Sequence, residues 1–373
     1  MLPGVTADQR LFAETAERFI RSTCPVSTVR RVAQREEELD GGYFTEIGEL
    51  GWLALFVPEE HGGGSPSGRP VLDAGLIAEQ RGRYLQPGGV VGSNVAALAL
   101  TLGGTGEQRA LLDDLAGGKA LAAWALGDPV GGWEASAGVK VRRGDTGFVL
   151  SGTKGLVQDA HLADWFLVSA AVDGRPALFW LPADAPGLTV EPLAGLDLTH
   201  RYAELVLRDV AAPASAVVGQ IGGDDDLGER LLQVATVLTV AEMVGAIGEL
   251  FAMTLEHARN RAAFGRVIGS FQAVKHQLAD LSLAVECSRA IAGGALTAVQ
   301  EQAPDAAELA SAAKAFVGDA AIDVSQGCLQ LHGGIGYTWE HDLHLYLRRL
   351  ATDRVVFGDP AWHRERICRL HGL

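Results

Sequence analysis

The stretch Arg261-Ala-Ala-Phe264-Gly265-Arg-Val-Ile268-Gly-Ser-Phe271-Gln272-Ala-Val-Lys-His276-Gln-Leu-Ala-Asp280 decides how this chain is read. It interrupts long amphipathic patterns, with apolar residues at three- and four-residue spacing over residues 230–260, 270–301 and 306–331. Upstream, QIGGDDDLGE (residues 220–229) mixes glycines with acids and reads as a solvated linker; its Asp224–Asp226 run lacks the spacing and remaining ligands of a calcium loop. Before it, FVLSGT, WFLVSA, ALFWLP, LTVEPL and AELVLRDV alternate apolar and polar residues between Gly, Pro and Asp, which predicts a small antiparallel β domain. Residues 7–118 return to helical spacing, as at Leu11, Phe12, Ala16 and Phe19, with turn signals VPEEHGGGSPSG (57–68) and QPGG (86–89). The expected organisation is an N-terminal helical domain (1–119), a central β domain (120–220) and a C-terminal helical bundle (221–373), with no internal repeat.

The 373 residues are 48% hydrophobic and 21% charged, which fits a well-packed globular chain. A net charge of −15 argues against nucleic acid or an anionic membrane as the main partner, because both select basic patches. Mean hydropathy is +0.14. The most apolar helical run, around 231–255, is broken by Gln233, Glu242 and Glu249, so no membrane span is expected. The N-terminal MLPGVTADQRLF has no basic segment leading into an apolar one, and a cytoplasmic protein is expected. Cys24, Cys287, Cys328 and Cys368 are scattered without a CxxC pair and read as reduced thiols. His341 and His344 flank Asp342 at a spacing that could ligate a metal, but the amphipathic pattern Leu343-Leu345-Leu347 explains them better.

The quoted stretch resembles the R-x-x-F-G-x-x-I-x-x-F-Q signature of the acyl-CoA dehydrogenase family. Some sixty residues on, Gln330-Leu-His-Gly333-Gly334-Ile-Gly336-Tyr337-Thr-Trp-Glu340 resembles that family's second signature, Q-x-x-G-G-x-G-[FY]-x-x-E. Fainter echoes are GWLALFVPEEHGGG, SGTK (151–154) and DLTHRYAELVL (197–207), so the resemblance spans nearly the whole chain. It implies a mostly α fold with a central β domain and a C-terminal four-helix bundle, with FAD bound between subunits. By contrast, Gly333-Gly334-Ile-Gly336 lacks the preceding strand that a Rossmann fingerprint requires.

The resemblance also assigns roles. Arg261 falls where the family places a guanidinium on the FAD diphosphate across the dimer interface, a match of paired N–H donors to phosphate oxygens. Phe264 and Gln272 match positions that pack on and hydrogen-bond the cofactor from the same subunit, and Gln330 and Gly334 match positions at its adenosine half. The implied reaction is α,β-dehydrogenation of an acyl-CoA thioester. A carboxylate takes the α proton, the β hydride passes to the flavin, and an electron-transfer acceptor reoxidises it.

Several positions depart from the pattern. The glutamate that many members place after the second signature corresponds to Phe357, and the alternative location on the first bundle helix corresponds to Ala235; neither side chain can accept a proton. Glu242 is the carboxylate set in the otherwise apolar run 237–246 of that helix, seven residues and about 10 Å beyond Ala235. It is a candidate displaced base, or an ion-pair or interface residue. The family's T-E-P-x-x-G-S-D loop corresponds to Gly127-Asp128-Pro129-Val130-Gly131-Gly132-Trp133-Glu134, without the hydroxyls and with an intruding Trp133. The family's W-[IV]-[ST] corresponds to Leu156-Val157-Gln158, and Ala263 stands where Thr is frequent. The half of the cofactor site that reaches into a partner is therefore expected intact, and the half facing flavin and substrate eroded. A subunit of a heteromeric enzyme that supplies FAD contacts to a base-bearing partner fits this pattern. The alternatives are a homo-oligomer using Glu242 and a flavin monooxygenase on the same fold.

Overall fold

The computed structural model describes every residue except 1, 3, 37, 38, 40, 135–137 and 224–226, so the acidic run at 224–226 lies outside the described residues. The N-terminal half carries helices α1 (Ala7–Thr23), α2 (Val26–Ala33), α3 (Gly41–Glu49), α4 (Pro70–Arg83), α5 (Val90–Gly103), α6 (Gly106–Arg109) and α7 (Leu112–Ala116). Thr6 starts α1 with a reciprocal cap. Its hydroxyl accepts from the Gln9 N–H at 3.2 Å, and the Gln9 side chain accepts from the Thr6 N–H. Ala13, Ala16 and Ile20 then recur on the buried face.

The middle is one sheet of β1 (Ala122–Ala125), β2 (Val139–Arg143), β3 (Gly147–Gln158), β4 (Trp165–Val172), β5 (Arg175–Pro182), β6 (Leu188–Pro192), β7 (Tyr202–Pro213) and β8 (Val217–Val218). Its order is β6-β7-β3-β2-β4-β5-β8, with β1 also on β4. Most neighbours are antiparallel, but β1 runs parallel to β4 from Ala122↔Trp165 to Ala125↔Val168, and β2 touches β4 in parallel at Lys140↔Ala171. The sheet is thus mixed, which the expectation of an antiparallel domain did not contain. Alternation along a strand reports that one face is buried; it carries nothing about the direction of a neighbour drawn from another part of the chain.

The C-terminal part holds α8 (Leu227–Asn260), the hairpin β9 (Ala262–Ala263) and β10 (Arg266–Val267), then α9 (Gln272–Gln300), α10 (Ala306–His332), α11 (Leu343–Asp353) and α12 (Pro360–Leu370). The long α8, α9 and α10 lie against one another, with α12 on α10 and α4 across α8. The α4–α8 crossing is made at glycines: a Cβ on Gly82 would stand 1.9 Å from the Glu242 carbonyl oxygen, and one on Gly245 1.9 Å from that of Glu79. Only glycine lets two backbones meet this closely. By length and composition α8 could cross a membrane, yet 89% of its most apolar window is buried inside the chain. One continuous core joins the helices of both ends of the sequence, and a second lies within the sheet. The four cysteines form no disulfide.

Candidate functional site

The two motifs around Arg261 and Gly334 converge at one end of the bundle. After α8, residues 262–267 form a hairpin whose two-residue turn is Phe264-Gly265, with φ of +53° and +79°. Two consecutive left-handed residues match the twist of paired strands, a geometry that favours Asn-Gly. Phenylalanine there is strained, and its ring is 95% exposed. Arg266 lies 4.0 Å over the Phe271 ring and stiffens the return into α9. On the facing side α10 ends at Gly333, φ +62°, and passes into the short turn Gly333–Tyr337. The two ends are joined by His257 of α8 and His332 of α10, whose rings stack at 4.4 Å. Arg30 of α2 fastens the next loop through the Trp339 carbonyl and Asp342.

Arg261, Phe264, Gln272, Gln330 and Gly334 are all exposed at this end. Nothing lies within 4 Å of where a Cβ on Gly334 would sit, so packing inside this chain does not require glycine there. Tyr337 at 74% exposure, Trp339 and Ile335 are likewise uncovered in and after the Gly333–Tyr337 turn. An apolar surface of this kind, rimmed by arginines, is built to be covered by another molecule.

The other candidate positions are buried. Phe357 (φ +57°) sits between Trp124, stacked at 5.7 Å, and Trp133, at 5.6 Å. The Trp124 Nε1–H donates to Ser169 Oγ at 2.9 Å, and Trp133 lies against Gly127. The Asp128 carboxylate accepts the Val130 and Gly132 N–H groups and turns the loop that presents Trp133. Phe357 is held from behind. Lys314 of α10 donates to the carbonyls of Arg354, Val356 and Gly358 at 2.8–3.2 Å. His363 Nε2 donates to the Phe357 carbonyl at 3.0 Å, and burial beside the Lys314 ammonium pushes its pKa down to about 2, so this imidazole is neutral. Beyond the three rings an open groove of about 460 Å³ runs along Trp133, Leu232, Trp362 and the Arg366–Glu229 ion pair. Gln158 does not face an open pocket; its side chain meets His200, which is held by Asp159 at 2.8 Å.

Ala235 is buried in α8 and carries no polar group. Glu242 is 3% exposed, with Oε1 3.8 Å from Arg81 Nε. Arg81 also donates to the carbonyls of Pro87 and Gly88 and to Tyr43 Oη. The cavity Glu242 lines, with Trp52, Ile77 and Leu238, measures about 10 Å³, room for one water. Nearby, Arg349 of α11 bonds Asp197, Thr199 and the carbonyls of Leu85 and Gln86. Burial, reinforced by Glu242, raises the Asp353 carboxyl to about 7.

Sequence reasoning missed Arg81, Arg349, Asp353 and Lys314. Lys314 had a usable signal, being one of five lysines and set in an alanine-rich run. The arginines had none, because their partners are distant in sequence. His341 and His344 contact the rings of His332 and Trp339.

Family models for the N-terminal and C-terminal domains of acyl-CoA dehydrogenases match residues 6–119 and 202–370. The chain is 29% identical to the acyl-CoA dehydrogenase IpdE2 of Mycolicibacterium smegmatis over 98% of both chains. Among solved structures it resembles the ChsE4-ChsE5 complex from Mycobacterium tuberculosis (26% identity, TM-score 0.89, 99% of this chain and 98% of that one). It also resembles the Tcur3481-Tcur3483 steroid ACAD (28% identity, TM-score 0.88, 98% and 97%). Two domain models in the right order, a full-length relative and the same fold from end to end place this chain in the acyl-CoA dehydrogenase family.

Proposed function

We propose that this chain is the cofactor-lending subunit of a heteromeric acyl-CoA dehydrogenase, working in the cytoplasm beside a base-bearing partner of the same fold. The observation that carries this reading is the Trp124–Phe357–Trp133 stack. Rings occupy the positions where a base and a flavin face are needed, whereas Arg261, Phe264, Gln272, Gln330 and Gly334 stand open to a second chain. FAD, when bound, accepts the β hydride of the acyl thioester. This subunit's part is to hold the diphosphate through Arg261 and the adenosine half through Gln330 and the Gly334 turn, while the partner supplies the proton acceptor and an electron-transfer acceptor takes the electrons. The likeness to the ChsE4-ChsE5 complex and to a steroid ACAD supports a two-chain enzyme and favours a bulky, sterol-type acyl group.

Glu242 fits the ion-pair role better than that of a base. Its carboxylate faces Arg81, and the adjoining cavity of about 10 Å³ cannot take a thioester. A monooxygenase would need flavin-ring space where the aromatic stack now sits.

The test is flavin per subunit, read by absorbance after denaturation. The chain purified alone is expected to carry almost none; co-expression with a base-bearing partner restores flavin, and Arg261→Gln in this subunit lowers its retention. One flavin per chain in the isolated protein would sink the proposal.

A further inference from the structure

Directly beneath Arg261 lies a group of three imidazoles that the reading above leaves unused. His257 stands one turn before Arg261 on α8, and the Arg261 N–H bonds to its carbonyl at 2.8 Å. Its ring stacks on His332 at 4.4 Å, and His332 meets His341 edge-on at 5.0 Å. The tautomers follow from the partners. His332 Nδ1 lies 2.9 Å from the Cys328 carbonyl, which can only accept, so the proton sits on Nδ1 and Nε2 is left with a lone pair. That Nε2 is buried, in a residue 6% exposed, and has no hydrogen-bond partner among the described residues. His341 Nδ1 accepts the Leu343 N–H, so its own proton is on Nε2.

Three imidazoles beside a guanidinium repel protons. Burial, then Arg261 and His341, lowers the His257 pKa. Burial, then His257 and His341, does the same at His332, despite the Cys328 carbonyl. The charged groups facing the cluster are Arg261, just past the end of α8, and, behind His341, the Arg30–Asp342 pair reaching in from α2. The cluster thus disfavours protons on His257 and His332 close to a strong cation, a local arrangement that gains from an arriving anion.

We propose that His257, His332 and His341 are the proton-linked floor of the diphosphate site that Arg261 opens, so that this subunit's grip on a diphosphate tightens as pH falls. This rests on the reading of Arg261 as a diphosphate ligand. A doubly negative group over Arg261 offsets the guanidinium's repulsion at His257 and attracts a proton to the buried pair, so protons are taken up on binding. By linkage, affinity gains about tenfold for each full unit by which one midpoint rises, and the gain is lost as pH rises above the bound-state midpoint. The stack also pins the Phe264 hairpin to the Gly333-Gly334 turn, so one cluster both positions and charges the site.

The experiment uses the full chain and inorganic pyrophosphate as the probe. Histidine side-chain ¹H–¹⁵N resonances are followed from pH 5 to 8, with and without pyrophosphate, at ionic strength matched with sodium chloride. Arg261 Nε–H reports binding independently. The expected result is that pyrophosphate moves Arg261 Nε–H and raises the His257 and His332 midpoints by about half a unit or more. The rise in the histidine midpoints vanishes in Arg261→Gln, and in the wild type pyrophosphate binds several-fold more weakly at pH 7.5 than at pH 6. If the Arg261 resonance moves and the histidine midpoints do not, the proton linkage is overturned while the diphosphate role of Arg261 stands. If pyrophosphate moves neither at any pH, both fall. His257→Gln, at a half-buried position, must reduce the pH dependence without abolishing Arg261 binding.

Discussion

Arg349 and Asp197 form an ion pair with neither side chain exposed, Nε 2.9 Å from Oδ2. The same guanidinium reaches the carbonyls of Leu85 and Gln86, so one side chain of α11 fastens the β-domain loop and the α4–α5 turn. Arg349→Met leaves Asp197 buried without its cation, a loss of about 3–5 kcal/mol. The double change Arg349→Met with Asp197→Leu recovers much of it. Urea midpoints of the three proteins check this, and an additive double mutant would show that the pair is not the source of the cost.

Asp353 gives a pH signature. Its folded pKa is raised to about 7, chiefly by burial, above the unfolded carboxyl value. A raised group contributes stability that is complete below the unfolded pKa and is lost as pH rises through the folded one, so this term declines between about pH 4 and pH 7. Asp353→Asn is expected to exceed the wild type in stability at pH 8 by on the order of 4 kcal/mol, by less than half of that at pH 5, and to match it only below about pH 4. Denaturant titrations at both pH values decide, and equal differences at pH 5 and 8 would refute the assignment.

The α4–α8 contact leaves no room for a methyl group. Gly245→Ala puts a Cβ 1.9 Å from the Glu79 oxygen, so the helices must separate at a cost at or above the usual ~1–3 kcal/mol of over-packing. Gly294→Ala on α9 meets nothing within 4 Å and should stabilise by about 0.5–1 kcal/mol. Thermal melts moving in opposite directions are the expected outcome.

Phe357→Glu replaces the missing carboxylate without restoring a site. The new acid is buried between Trp124 and Trp133, so the variant melts lower and gains no flavin. Phe357→Ala costs about 3–5 kcal/mol through the lost ring and the cavity it leaves. Flavin absorbance in purified Phe357→Glu would contradict the view that the rings, not the absent base alone, close this pocket.

The helical ends and both motifs were legible because amphipathic spacing and turn residues are local signals. The parallel β1–β4 pairing was not, since strand direction depends on which distant segment arrives beside it. Trp133 and Phe357 were each visible as departures from the family pattern, yet 224 positions separate them and only the fold shows them touching Trp124. Glu242 stood out as an acid on an apolar helix, but its partner Arg81 lies in a helix assembled from the other end of the chain. The long-range ion pairs are the part a single sequence withholds, because charge complementarity has no periodicity.

The three-ring plug bears on the history of the assembly. Trp124, Trp133 and Phe357 come from a strand, a loop and a helix connection, and Lys314 and His363 fix the last of them from behind. A lineage reverting toward self-sufficiency would have to exchange all three together, because any one alone leaves a void or a stranded charge. The arrangement acts as a ratchet: under the proposed two-chain reading, each ring that closed over another tied this chain more tightly to a base-bearing partner.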